Sequence, residues 1–165
     1  MPDNHLDPDQ AIGAQRGIPL AESPARVGRT LFETDWYRLD EAKLRQFRAG
    51  TDAVPEAADM SACLANPVGD ENVDGFYLLS LLFPMHANHN PLYTVGTYAL
   101  NYGVEKCRFP APAFFTNRVR CVAVLEAAER HPKGWLLTMG NTLLLEGSDR
   151  PAMTCSWKVL FVGPA

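Results

Sequence analysis

The chain has 165 residues, enough for one domain with a substantial buried core. Its 19 Asp and Glu outweigh 15 Lys and Arg for a formal charge of −4, and no Lys/Arg cluster is dense enough to track a phosphate backbone, so nucleic acid is excluded as an expected partner. The longest apolar run, "VDGFYLLSLLFPM", is too short to span a bilayer and is interrupted by proline.

Residues 1–24 mix Asp, Pro, Gly and Gln without periodicity and read as a flexible arm, with the domain proper over 25–165. The N-terminus has no apolar signal-peptide core, which points to a reducing cytoplasm and to free thiols at Cys63, Cys107, Cys121 and Cys155. The cysteine spacings give no local zinc site, and no cofactor or metal is expected.

Arg29 to Leu39 is rich in aromatic and β-tolerant residues and predicts a first strand. Asp40 is placed to cap a helix over "EAKLRQFRAG", with Ala42, Leu44 and Phe47 facing inward and Gly50 closing it. Residues 51–72 read mostly as loop, long enough to suggest a function, and carry Asp52, Glu56 and Asp59 among small side chains. Asp74 is placed to cap "GFYLLSLLFPMHANH", the most hydrophobic helical candidate, expected to run from 74 to about 88 as a central buried helix.

Four strands follow, at about 95–108, 117–129, 134–146 and 152–162, with "RHPKG" and "EGSDRP" as turns. The alternation is clearest for Val119, Cys121, Ala123 and Leu125, and for Met153, Cys155, Trp157, Val159 and Phe161. The order predicts an α+β domain in which an antiparallel sheet packs on one long helix.

The stretches "VDGFYLLSLL", "YALNYGVEKCRFPAPAFFTNRVRCVAVLEA" and "GSDRPAMTCSWKVLFV" resemble the MaoC-like dehydratase group of hot-dog-fold proteins, which includes the (R)-specific enoyl-CoA hydratases and nodulation-type relatives. The resemblance covers about Pro24 to Val162. It implies a sheet wrapped around a central helix, a homodimer with sites near the subunit interface, and an acyl thioester substrate, usually on coenzyme A. It further implies an aspartate, here Asp52, that acts with a histidine five residues later on the water added to an enoyl double bond. It also implies a backbone N–H at the start of the central helix that polarises the thioester carbonyl. Ala57 stands where that histidine would be, and the pair His-Gly that begins the helix in many relatives is Asp74-Gly75 here.

Carried over residue by residue, the resemblance makes Asp52 the candidate general base, with Glu56, Asp74 and Tyr102 as further catalytic candidates and Gly75, Asn101 and Arg108 as substrate-binding candidates. Each has a plainer reading: Asp52 and Asp74 as helix caps, Glu56 as a first-turn acid, Gly75 as a packing glycine, Asn101 and Tyr102 as strand residues, and Arg108, with Arg118 and Arg120, as surface charge. His86 and His89 have the spacing of a metal pair on one helical face, but helix-terminal histidines are also favoured by the helix dipole. Two functions remain open: a lyase or isomerase acting on a thioester or related carbonyl compound through a carboxylate base, and a non-catalytic acyl-binding or assembly subunit. Thioesterase-like chemistry also occurs on this fold.

Overall fold

The computed structural model describes residues 17–52 and 72–163. Its strands are β1 (Thr30–Glu33), β2 (Tyr37–Arg38), β3 (Tyr98–Arg108), β4 (Arg118–His131), β5 (Gly134–Leu145) and β6 (Met153–Val162), and its helices are α1 (Glu41–Gly50), α2 (Gly75–Ser80) and α3 (Leu82–His89). All the strands lie in one antiparallel sheet in the order β1-β4-β5-β6-β3, with β2 also on β4. This is the expected α+β architecture.

The period-2 pattern of the last three strands fixes which face becomes core. Val119, Cys121, Ala123 and Leu125 are fully buried, as are Leu137 and Leu143 on β5 and Met153 on β6. They pack with Tyr77, Leu78, Leu82 and Met85 from the helices. A half-polar strand buries one face in this way. Asn141 is the polar exception in the inward row of β5, at 2% exposure. At the β4–β5 hairpin, Gly134 has φ 145°, and a side chain there would collide with the Phe161 carbonyl of β6.

Four local expectations are corrected. The first strand is split, because at Thr34 the Cys121 N–H is taken by the Thr34 hydroxyl at 3.0 Å instead of a ladder carbonyl. In α1, Asp40 caps as expected, accepting from the N–H groups of Ala42 and Lys43, but Ala42 is exposed and Leu44 is the buried residue. The left-handed residue that follows this helix is Asp52, with φ 54°, not Gly50. The central helix breaks at Leu81: Pro84 has no N–H for the Ser80 carbonyl, and its ring crowds that carbonyl, so α2 ends at Ser80.

The domain also begins earlier than expected. Residues Leu20–Arg26 form a 3-10 helix that buries Leu20 and Ser23, and Ile18 pairs with Leu92. Residues 17–24 therefore belong to the packed domain, and only 1–16 of the expected arm lies outside the described residues.

Candidate active site

The start of α2 is clamped from two sides. Val73 donates its N–H to the Ala113 carbonyl at 2.8 Å, and Asn72 bridges to Phe114, which ties the helix entry to the chain beyond β3. From α1, Arg48 donates through Nε to Asp74 Oδ2 at 2.8 Å and through Nη2 to the Asn72 carbonyl at 3.2 Å. Asp74 sits at the N-cap position, yet its side chain makes no capping bond because Arg48 holds the carboxylate. The expected cap is therefore an ion pair.

Gly75 opens the helix beneath an aromatic ring. A Cβ at this position would lie 2.8–2.9 Å from the far edge of Phe109, so only glycine allows the ring to sit there. Tyr77, in the same turn, is buried, and burial, with Tyr37 and Asp40 nearby, pushes its phenol above the ordinary range.

Asp52 lies just past α1, one turn beyond Arg48, with its N–H on the Ala49 carbonyl at 3.4 Å. Its left-handed backbone is one that aspartate tolerates. The side chain is exposed rather than buried. Glu56, Ala57 and Asp59 lie outside the described residues, as does Cys63.

On β3, Asn101 and Tyr102 are exposed. Asn101 pairs with Val159 and Gly103 with Lys158, leaving Tyr102 as the extra residue of a bulge. A bulge re-aims side chains, and Asn101 and Tyr102 line a cavity of about 320 Å³ together with Leu79, Ser80 and Phe83. Arg108 ends β3, exposed and without an ion pair among the described residues. Arg118 pairs with Glu146 at 3.1 Å, while Arg120 faces Glu33 at 3.5 Å and stacks over Trp36, which accounts for both as sheet-surface residues.

The two histidines are not a metal pair. His86 is buried between Phe32 and Trp157 and bonds Asn141, while His89 is exposed and donates Nδ1–H to the Met85 carbonyl at 2.9 Å. Burial lowers the His86 pKa to about 4, so it is neutral near pH 7 and the dipole reading fails for it. Burial likewise pushes the Cys121 and Cys155 thiols up to about 12, which leaves them unreactive. No group of three or more metal-ligating side chains occurs among the described residues.

Arg48 and Phe109 were not anticipated. Each acts on a residue more than 25 positions away in the chain, so no local pattern announces it.

The chain is 31% identical over 147 residues to nodulation protein N of Rhizobium leguminosarum bv. viciae, spanning 85% of this chain and 89% of the relative. It is also 31% identical over 147 residues to 3-hydroxyacyl-thioester dehydratase Z of Mycobacterium tuberculosis (strain ATCC 25618 / H37Rv), spanning 87% and 95%. The chain belongs to the MaoC-like dehydratase family. The fold agrees: the MaoC-like dehydratase from Rhodospirillum rubrum superposes with a TM-score of 0.63 at 17% identity, covering 84% of this chain and 94% of that one. No family model matches the chain. As a MaoC-like protein it has the hot-dog fold, with the sheet wrapped around α2 and α3.

Proposed function

We propose that this protein is a hydro-lyase acting on an acyl thioester, with coenzyme A as the carrier. The observation that carries this reading is its identity to 3-hydroxyacyl-thioester dehydratase Z along nearly the whole length of that relative. In the proposed reaction Asp52 accepts a proton from water as the oxygen adds to the β-carbon of the enoyl group, and the negative charge passes to the thioester oxygen. The Gly75 N–H is the donor for that oxygen, in a position where the helix dipole favours negative charge. Transfer of that proton from Asp52 to the α-carbon completes hydration and restores the carboxylate, and dehydration is the reverse.

With Ala57 at the family's histidine position, Asp52 lacks the usual partner in holding water. The same single carboxylate can also serve elimination of a better leaving group than water, or isomerisation next to the carbonyl, reactions that need no second group to hold water. Glu56, Asp74 and Tyr102 are the candidate assisting groups; Asn101 and Arg108 are candidates for substrate contact. The same missing histidine supports a second reading, an acyl-binding subunit without turnover.

We infer a homodimer through the β3 edge. Tyr98, Leu100, Tyr102 and Val104 on this strand, with Phe76 and Phe83 on the helices beside it, leave a large apolar face exposed. A cytoplasmic setting fits the free thiols Cys107, Cys121 and Cys155, and no helix among the described residues is long and apolar enough to cross a membrane.

The test is Asp52→Asn assayed with crotonyl-CoA and with 3-hydroxyacyl-CoA substrates. A loss of turnover of about a hundredfold or more with binding retained supports Asp52 as the acid/base. Unchanged turnover excludes it, and a parent protein that binds thioesters but converts none establishes the subunit reading.

A further inference from the structure

A cavity of about 220 Å³ lies between the central helix and the turn that joins β1 to β2. Leu81, Pro84, Met85 and Asn88 recur at spacings of three and four, so they present one face of the helix to it. Phe83, Ala87 and Asn90, which line the space toward β3, fall on the opposite face. The two flanks have no lining residue in common, so this cavity is separate from the one beside Asn101 and Tyr102.

The turn that forms the outer wall is held in place. The Thr34 hydroxyl accepts from the Cys121 N–H at 3.0 Å and donates to the Asp35 carbonyl at 2.8 Å, while the Thr34 N–H donates to the Cys121 carbonyl at 3.0 Å. Trp36 carries the Arg120 guanidinium over its ring, and Tyr37 carries the Lys43 ammonium. These contacts tie both rings to β4 and α1 and keep them from folding into the space. The polar groups around it, by contrast, are left over. Asp35 is exposed and Asn88 half-buried, and neither side chain has a hydrogen bond or ion pair among the described residues. Of the described residues that line the cavity, Asp35 is the one acid and none is lysine or arginine. The two cations behind the rings are engaged, Arg120 by Glu33 at 3.5 Å and Lys43 by the Tyr37 hydroxyl at 3.1 Å.

We propose that this cavity binds a small arylalkylamine, with its aromatic ring between the Trp36–Tyr37 wall and the Pro84–Met85 face of the helix and its ammonium on the Asp35 carboxylate. The walls suit the ring, since Trp36 and Tyr37 offer aromatic contact and Met85 a thioether. The charge suits the amine, because an acid of the same size would meet a like charge at Asp35 and an alcohol would leave the carboxylate without a counter-charge. Pockets for drug-sized ligands run to about 300–1,000 Å³, so this smaller space fits a molecule on the order of ten non-hydrogen atoms. The site takes no part in the acyl-thioester reading above and stands whether or not the protein is a hydro-lyase.

The test uses phenethylamine, 2-phenylethanol and phenylacetate, which share a phenyl ring and differ in the charge at the other end. Each is titrated into the full chain while the Trp36 indole N–H and Met85 methyl resonances are followed. Both resonances should move with the amine, whose Kd should be about fivefold below that of the alcohol, with phenylacetate the weakest of the three. Asp35→Asn alters an exposed side chain that makes no bond, so circular dichroism should be unchanged while the amine falls to the affinity of the alcohol. An amine that moves neither resonance at millimolar concentration, equal Kd values for the three ligands, or a preference for the amine that survives Asp35→Asn each overturns the proposal.

Discussion

Arg48 and Asp74 form a 2.8 Å ion pair that joins the end of α1 to the start of the central helix. Their side chains are 33% and 45% exposed, so water screens the pair and its worth in stability is small, about 0.2–1 kcal/mol. Its larger effect is positional, since Arg48 also holds the Asn72 carbonyl immediately before the helix. Arg48→Met should therefore lower the unfolding free energy in urea by less than about 1 kcal/mol. Turnover should fall severalfold more than that loss implies. A double-mutant cycle with Asp74→Asn measures the coupling directly; a coupling of zero for both stability and turnover would dismiss the pair.

Gly75→Ala is expected to act through Phe109. The new methyl would meet the ring at 2.8–2.9 Å, and the ring, 44% exposed, can swing outward in response. The cost should be at the low end of overpacking, about 1 kcal/mol. In the background Phe109→Ala the same change should cost close to nothing, which thermal or urea unfolding of the four proteins will show. If Gly75→Ala is as costly without the ring as with it, the collision is not the reason for glycine there.

These two contacts mark the limit of what was legible in the sequence. The strands from Arg118 onward follow from alternation, because each inward residue reports the same buried face, whereas β3 buries none of its residues. The ends of the central helix do not follow from local pattern either. Asp74 has every local feature of an N-cap, and only the arrival of Arg48 from 26 residues away withdraws its carboxylate. The break at Leu81 was readable from Pro84, whose missing N–H leaves the Ser80 carbonyl without its helical donor. Leu20 and Ser23 sit in a segment whose composition resembles a tail, and tertiary packing overrides that composition. Asp52, assigned by resemblance, gains a physical account as the left-handed residue past α1, but that conformation by itself names no chemistry.

The β3 edge should control oligomeric state. Its exposed apolar residues lie beside Phe76 and Phe83, which are 74% and 66% exposed although both belong to the helices that form the core. Val104→Lys together with Phe83→Glu places charges in this face without touching buried residues. Sedimentation should show a dimer for the parent and a monomer of unchanged circular dichroism for the variant. A parent that sediments as a monomer would remove the inferred dimer.

The buried histidine should make stability fall on acidification. The folded-state pKa of His86, about 4, lies below the ordinary value of 6.5, because burial disfavours the imidazolium. The unfolded chain therefore binds a proton first as pH drops. The stability contributed by neutral His86 is complete above pH 6.5 and is lost progressively as pH falls through about 4. The full loss is on the order of 3 kcal/mol. His86→Phe removes the titrating group, and Asn141→Leu made alongside it avoids leaving the amide unpaired in the core. Urea unfolding at pH 7.0, 5.5 and 4.5 should give, on the order of magnitude set by this linkage, a steeper decline for the parent than for the double variant. Parallel declines would mean that other groups carry the acid sensitivity.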